Sequence, residues 1–428
     1  MKLIVFVLAY VLLFCTLSYA QDTLTVLQYN LLWYGEETDW CDNTNNNINE
    51  KDAYLRTILN HTKPDIFSVN EMSNSPAVHQ HLLDQVLNTD GVDYYQKANF
   101  LSVANTDIVN MLYFNTKKLG LHSHYIAQSY IRDIDVYKLY LLSDGILAGD
   151  TTFIICVVAH LKSSSGAENE EKRRIMADNT MIWLDNFDEN NNFMMMGDFN
   201  VYSPTEPAYQ AFLNYENASL RFNDPVDQYG NWHNNSYYSA YHTQSTHTSS
   251  NGCASTGGMD DRFDFILISN SIKDGTKDVH YIENSYWAVG QDGQHFNQAL
   301  NASPENTSVP SDVLDALYHN SDHLPVVLKL YTDETLGMDE FKTDLFSQIS
   351  MTNPAKNQLN LTMQVKTQGD ALLEVYNVYG HLLMTRNLYL HVGENHISES
   401  IVSLQSGLYI VRITDHQLNK LSLKLVKN

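Results

Sequence analysis

The stretch Phe193-Met194-Met195-Met196-Gly197-Asp198-Phe199-Asn200 decides the reading of this chain. Four apolar residues in succession predict a strand. Gly197 breaks the run, and Asp198 and Asn200 come where the strand ends. The ends of buried strands are where a rigid scaffold presents reactive groups to a cleft. Gly-Asp-x-Asn is also an ordinary turn, so its meaning depends on what surrounds it.

The same form recurs along the chain. Val26-Leu27-Gln28-Tyr29 leads into Asn30, and Ile66-Phe67-Ser68-Val69-Asn70 into Glu71. Ile155-Cys156-Val157-Val158-Ala159 leads into His160, and Ser321-Asp322-His323 precedes the apolar run Leu324–Leu330. Strands are predicted over 24–30, 65–70, 108–114, 151–160, 193–196, 263–269 and 324–330. Helices are predicted over 50–61, with Tyr54, Leu55, Ile58 and Leu59 on one face, and over 168–187. This alternation implies an α/β domain around a large sheet core.

The polar residues at those ends suit metal-assisted attack on phosphorus. A hard cation takes oxygen ligands, and Glu71, the amide of Asn30 and Asp322 supply them. Mg²⁺ is the expected ion, with Mn²⁺ or Ca²⁺ as alternatives. Asp198 would orient or deprotonate a water while Asn200 fixes its geometry, and His160 and His323 would offer N–H groups where negative charge develops. Singly, each residue reads as a cap, a turn or a core histidine; in order and together, at strand ends, they read as a site.

These motifs resemble the endonuclease/exonuclease/phosphatase superfamily, the DNase I-like fold, from about Leu24 to Tyr331. The resemblance implies a four-layer sandwich of two packed β-sheets flanked by helices, divalent-metal dependence and hydrolysis of phosphate esters. It also implies an aspartate on a late strand paired with a catalytic histidine. Asp264, in Asp261-Arg262-Phe263-Asp264-Phe265-Ile266, is the better match and Asp261 the fallback. Arg132 resembles a phosphate-contacting arginine, with a surface ion pair as the alternative. DNA-cutting relatives often carry an arginine where this chain has Ser73.

Charge narrows the partners. Lys+Arg 26 against Asp+Glu 50 gives −24, which argues against a broad cationic face gripping nucleic acid through many phosphates. A phosphodiester bound locally through metal stays open. From Phe346 onward the balance reverses, with 7 basic and 5 acidic residues. Met1–Ala20 reads as a secretory signal, and no later stretch is apolar enough to span a membrane. Without Cys15, which would leave with the signal, Cys156 reads as a buried strand residue, and export makes a Cys41–Cys253 bridge possible.

The polar stretch 222–260 has almost no apolar periodicity; Trp232, Tyr237, Tyr238 and Tyr241 in it would stack bases or cover the core. Its histidines, His233, His242 and His247, read as loop polar groups. After a linker over 332–345, short strands with turn signals over 346–428 suggest a small C-terminal all-β sandwich. There Asn353-Pro354-Ala355-Lys356, Val378-Tyr379-Gly380-His381-Leu382, Gly407-Leu408-Tyr409 and Lys424-Leu425-Val426-Lys427 resemble a type IX secretion sorting domain. The expectation is a monomeric phosphodiesterase, delivered by that machinery outside the cell or to its surface, with a catalytic unit over 21–331. Nucleic acid is the favoured substrate, and a lipid or small phosphoester, as in sphingomyelinases, is the alternative.

Overall fold

The computed structural model describes residues 22–143, 151–187, 192–334, 336, 346–378, 380–415 and 420–428. The expected signal at Met1–Ala20 and most of the expected linker lie outside the described residues. The chain runs through β1 (Asp22–Tyr34), α1 (Ile48–Thr62), β2 (Ile66–Ser73), α2 (Pro76–Leu82), β3 (Tyr95–Lys97), β4 (Ile108–Asn115), β5 (Leu119–Gln128) and β6 (Ile134–Leu141). It continues through β7 (Phe153–His160), α3 (Ala167–Asn186), β8 (Asn192–Asp198), α4 (Pro207–Leu213), β9 (Phe222–Asn223), β10 (Asp264–Ser269) and α5 (Asn270–Asp274). Then come β11 (Val279–Tyr281), β12 (Trp287–Ala288), α6 (Ser311–Asn320) and β13 (Val326–Thr332).

Two mixed sheets result. The first has the order β11-β13-β1-β2-β4-β3, with β12 also on β13, and the second the order β5-β6-β7-β8-β10-β9. The alternation of side chains along a strand explains their packing. Ile154, Cys156, Val158, Met194 and Met196 face the first sheet and meet Leu27, Tyr29, Phe67 and Val69. Ile155, Val157 and Met195 face the other way, onto Met176 and Met181 of α3 and Phe212 of α4. Leu55 and Ile58 of α1, with Val313 and Leu317 of α6, extend the core beyond the first sheet. The second sheet is therefore apolar on both faces, which is why its strands read as unbroken apolar runs. The four layers are those the resemblance implies.

Strands β5 and β6 and helix α6 are not among the elements expected from the sequence. β6 buries Asp135 and Lys138 along with its apolar residues, so its composition hides a central strand. Stretch 222–260 folds mostly as irregular chain that covers the core. Trp232 is buried and donates from Nε1 to Val201 O at 3.1 Å, and Tyr238 is buried as well. Of the four rings expected to stack or to cover, Tyr237 alone is largely exposed, at 77%, so this loop is chiefly a cover. Cys41 and Cys253 form a disulfide, and Cys156 is free and buried.

The tail comprises β14 (Phe346–Met351), β15 (Gln358–Val365), β16 (Gly369–Asn377), β17 (Leu382–Leu390), β18 (Gly393–Ser400), β19 (Gly407–Asp415) and β20 (Lys420–Lys427). They form antiparallel sheets β14-β15-β18 and β17-β16-β19-β20 around Leu359, Leu361, Val375, Val411 and Leu425. Tyr376 and Ile410 of the tail pack on Tyr140 and Leu142, at the end of β6. No helix among the described residues is long and apolar enough to cross a membrane.

Gly197 is needed at its position. It stands at φ +145°, and a Cβ there would lie 1.7 Å from Ala159 O on the neighbouring strand. Backbone cannot rotate out of the way, so Gly197→Ala should force β7 and β8 apart and cost about 3 kcal/mol. Urea unfolding measures this, and an unchanged midpoint would contradict the close strand contact.

Candidate active site

Six strands bring their polar residues to one pole. The parallel strands β1, β2, β7 and β8 end there, at Asn30, Glu71, His160 and Asp198; β10 starts there at Asp264, and His323 lies just before β13. Register does much of the alignment: His160 pairs with Asp198 on one side, and Asp264 pairs with Asp198 on the other. In the first sheet Asn30 pairs with Asn70, after which both ladders lose register. Glu71 sits at φ 57°, and Leu32 and Trp33 at 49° and 50°. Such irregularities re-aim side chains and tend to accumulate at working sites. Lys51, buried beneath, donates from Nζ to Leu31 O at 2.6 Å, Leu32 O at 2.8 Å and Asn46 Oδ1 at 2.7 Å, satisfying the carbonyls this turn turns inward.

The carboxylates meet around Asn30. Its Nδ2 donates to Glu71 Oε1 at 3.1 Å and to Asp198 Oδ2 at 3.0 Å, while its Oδ1 accepts from Leu32 N at 3.0 Å. In this arrangement Asn30 clamps the two acids together, and it ligates through oxygen only with its amide reversed. His160 Nε2 stands 3.7 Å from Glu71 Oε1 and 3.5 Å from Asp198 Oδ2. One ligand atom each of Glu71, His160 and Asp198 lies within 4.8 Å of the others. The sequence reading placed His160 with the hydrogen-bond donors; the structure also puts it among the potential ligands.

Electrostatics follow from burial. Burial pushes the Asp198 carboxyl up to about 7, with His323 pulling it down and Asp264 and Glu71 adding to the rise. Burial and then the Asp322 charge raise Glu71. Burial and the cations of Arg132 and His323 hold His160 well below the usual histidine range. His323 goes the other way: burial opposes its charge, but the Asp264 and Asp198 carboxylates outweigh it and raise the imidazole well above its usual range.

The histidine–aspartate pair is Asp264 with His323, Oδ2 to Nδ1 at 2.7 Å; the fallback Asp261 instead holds His233 at 2.6 Å. Gln244 Nε2 lies 2.7 Å from His323 Nε2. Asp322 Oδ2 accepts from Ser255 N at 2.9 Å, and its Oδ1 is buried with no hydrogen-bond partner. Asn200, at φ 51°, donates from its backbone to Asp198 Oδ1 at 3.0 Å. Arg132 donates to Leu161 O at 2.8 Å and lies close enough to Glu71 and Asp198 to feel their charge, so it is not a surface ion-pair residue. His242 is buried against Trp232 O, and His247 bonds its neighbour Thr246.

Sequence reasoning missed the layer beneath. Asn70 Oδ1 accepts from Asp198 N at 2.8 Å and Gln28 Nε2 at 2.6 Å, and its Nδ2 donates to Asn110 Oδ1 at 2.7 Å. Asn110 Nδ2 continues to Asp135 Oδ2 at 3.0 Å. Polar residues at inward strand positions were the available signal. Gln244 and Lys51 had none, while Ser321, whose Oγ donates to Asn30 O at 2.7 Å, stood in the Ser321-Asp322-His323 motif without an assigned role.

The donor set fits a hard divalent cation. Glu71 and Asp198 are buried anions whose ionisation is resisted, and Asp322 Oδ1 is a buried oxygen lacking a partner. Positive charge beside Glu71 and Asp198 would relieve both, while Asp322 is not in the group formed by Glu71, His160 and Asp198.

Residues 27–312 match the Endonuclease/Exonuclease/phosphatase family, and residues 352–428 match the Secretion system C-terminal sorting domain. The first match spans more than half of the chain, and the protein belongs to the endonuclease/exonuclease/phosphatase family, whose members hydrolyse phosphate esters and use divalent metals. The sorting domain is that of type IX secretion and directs the protein out of the cell or to its surface. No curated protein matches the chain. Similar solved structures include the human Nocturnin catalytic domain with bound sulfate (17% identity, 73% of this chain and 98% of that one, TM-score 0.43). Others are D. rerio TDP2 complexed with single strand DNA product (13%, 72% and 99%, TM-score 0.44) and an endonuclease/exonuclease/phosphatase from Beutenbergia cavernae (14%, 94% and 100%, TM-score 0.39).

The Asp264–His323 pair makes a direct prediction. Asp264→Asn should keep the fold by circular dichroism yet cut phosphodiester turnover by about a thousandfold or more, because the imidazole loses both its tautomer control and its charge partner. Turnover within tenfold of the unmodified protein would remove the pair from the chemistry.

Proposed function

We propose that this protein is an exported, divalent-metal-dependent phosphodiesterase that degrades nucleic acid outside the cell. The observation that carries this reading is the convergence of Asn30, Glu71, His160, Asp198 and the Asp264–His323 pair on one pole of the two sheets. In this reading Met1–Ala20 is a signal, residues 21–331 are the catalytic unit, 332–345 a linker and 346–428 the sorting unit.

Asp198, raised above the usual carboxylate range by burial, is the general base that takes the proton of an attacking water. Asn30 and the Asn200 backbone hold its two oxygens. His323 carries positive charge, braced by Asp264, and donates to a phosphoryl oxygen as negative charge builds there; His160 gives a second N–H. Arg132 contacts the same phosphate. Glu71 and Asp322 would hold a divalent cation, joined by Asn30 once its amide reverses and releases Asp198, and the cation would supply Lewis-acid charge at the phosphoryl and leaving oxygens.

A chain at −24 still places Lys162 and Arg132 near one another beside this pole, while Lys172 and Arg173 are paired with Glu168 and Glu206. Lys162, two residues beyond His160, is held below the usual lysine range by partial burial and by repulsion from Arg132, Lys172 and Arg173. Its ammonium donates to Ser163 O at 2.9 Å. With only the backbone and hydroxyl oxygens of Ser163 as partners among the described residues, this ammonium can meet a phosphate neighbouring the scissile one.

Two measurements test the reading. Purified protein should cleave DNA or RNA with Mg²⁺ and stop on EDTA treatment, and should turn over sphingomyelin far more slowly. Absence of EDTA-sensitive cleavage of any nucleic acid would remove the nuclease assignment. Lys162→Ala should raise KM for an oligonucleotide about threefold to tenfold with kcat nearly unchanged, and the difference should shrink in high salt.

A further inference from the structure

We propose that Trp40 and Trp33 form a stacking subsite for an unpaired nucleobase next to the scissile phosphate, which makes single-stranded nucleic acid the preferred substrate. This rests on the nuclease reading above and adds the form of the substrate to it. Trp33 belongs to the site already, since its backbone N–H donates to Glu71 Oε2 at 3.3 Å. Trp40 packs edge-on against it, with ring centroids 6.1 Å apart and planes at 90°. Its own indole is 55% exposed and has no other ring contact among the described residues.

An exposed indole on a floppy loop would mean little. This one is held firmly. Trp40 N and Cys41 N both donate to Thr38 Oγ1, at 3.2 and 2.8 Å. Cys41 is bonded to Cys253, and Asn45 Nδ2 donates to Trp40 O at 2.8 Å and to Asn251 O at 3.2 Å, across the same junction. The far side of that junction runs on to Ser255, whose N–H holds Asp322. A ring kept out in water by a disulfide and reciprocal amide bonds loses little entropy on binding, which favours a rigid contact surface.

Charge selects the occupant. Glu36, Glu37, Asp39 and Asp42 surround Trp40 in the chain. Four carboxylates penalise every nearby phosphate, so a duplex, with one about every 1.7 Å along its axis, is disfavoured more than a single strand with about half that density. An unpaired base can lie on the indole with its own phosphate turned toward the site, and stacking tolerates a protein without a basic groove. A quaternary ammonium headgroup is the competing occupant, since perpendicular rings and carboxylates attract it too, and the vesicle arm of the test separates the two.

The test uses the full protein with two oligonucleotides of one length, one carrying bases and one made of abasic residues, together with choline-lipid vesicles. Trp40→Ala should raise KM for the base-bearing strand about tenfold, within the range expected for one lost stacking contact. It should leave kcat within twofold and leave the abasic strand unaffected, and Trp40→Phe should restore most of the loss. Duplex should be cut more slowly than single strand by the unmodified protein. An unchanged KM, or an equal loss on the abasic strand, would overturn the subsite. So would vesicle binding that Trp40→Ala abolishes while oligonucleotide kinetics stay the same, which would make the pair a membrane contact. Failure of the nuclease reading looks different: the unmodified protein would then cut neither strand while still hydrolysing a chromogenic phosphodiester.

Discussion

The site depends on how two apolar sheets can meet at a polar end. Over most of their area Met, Val, Leu and Phe interdigitate, and no hydrogen bonds are required. At the reactive pole the strands leave amides and carboxylates buried, and each needs a partner or costs about 1–3 kcal/mol. Asn70 meets that need: one side chain accepts from Gln28 of its own sheet and from Asp198 N of the other, and donates to Asn110. It is the cross-sheet tie that sets how far Asp198 stands from Asn30 and Glu71. A buried polar network is useful only when fully satisfied, and this one specifies a single spacing between the sheets.

Much of this was legible in the sequence because burial on both faces leaves a simple trace. Unbroken apolar runs such as Phe193–Met196 and Ile154–Val158 read as strands, and the polar residues just beyond them read as groups presented at strand ends. Asp264 could be chosen over Asp261 because an apolar strand continues from it. The hidden parts depended on contacts between distant stretches of the chain. β6 carries Asp135 and Lys138 inward and so looks like a surface segment. Gln244 lies in a stretch without periodicity, and only the folded chain brings it 2.7 Å from His323. Lys51 resembles any helix-surface lysine until the turn at Leu32 is seen above it. The rings of the 222–260 stretch could be read two ways because aromatic residues serve cores and ligands alike.

Net charge proves a poor guide to local chemistry here. The chain is strongly acidic, yet Lys162 stands near Arg132 beside the candidate site, where burial first and neighbouring cations second lower its pKa, while Lys172 and Arg173 are paired with Glu168 and Glu206. Fields near low-dielectric walls are set by the nearest few charges, and distant surface carboxylates are screened beyond about 10 Å at ordinary ionic strength. Acidity also keeps an exported protein soluble without dictating what its pocket accepts.

The tail touches the catalytic unit at Tyr140 and Leu142. β6 runs antiparallel to β7, so those residues lie at the end of the sheet farthest from His160. A chain held by its C-terminal module is thus gripped from behind. The sorting module packs against the back of the second sheet, and at this contact it leaves the pole that carries His160 uncovered.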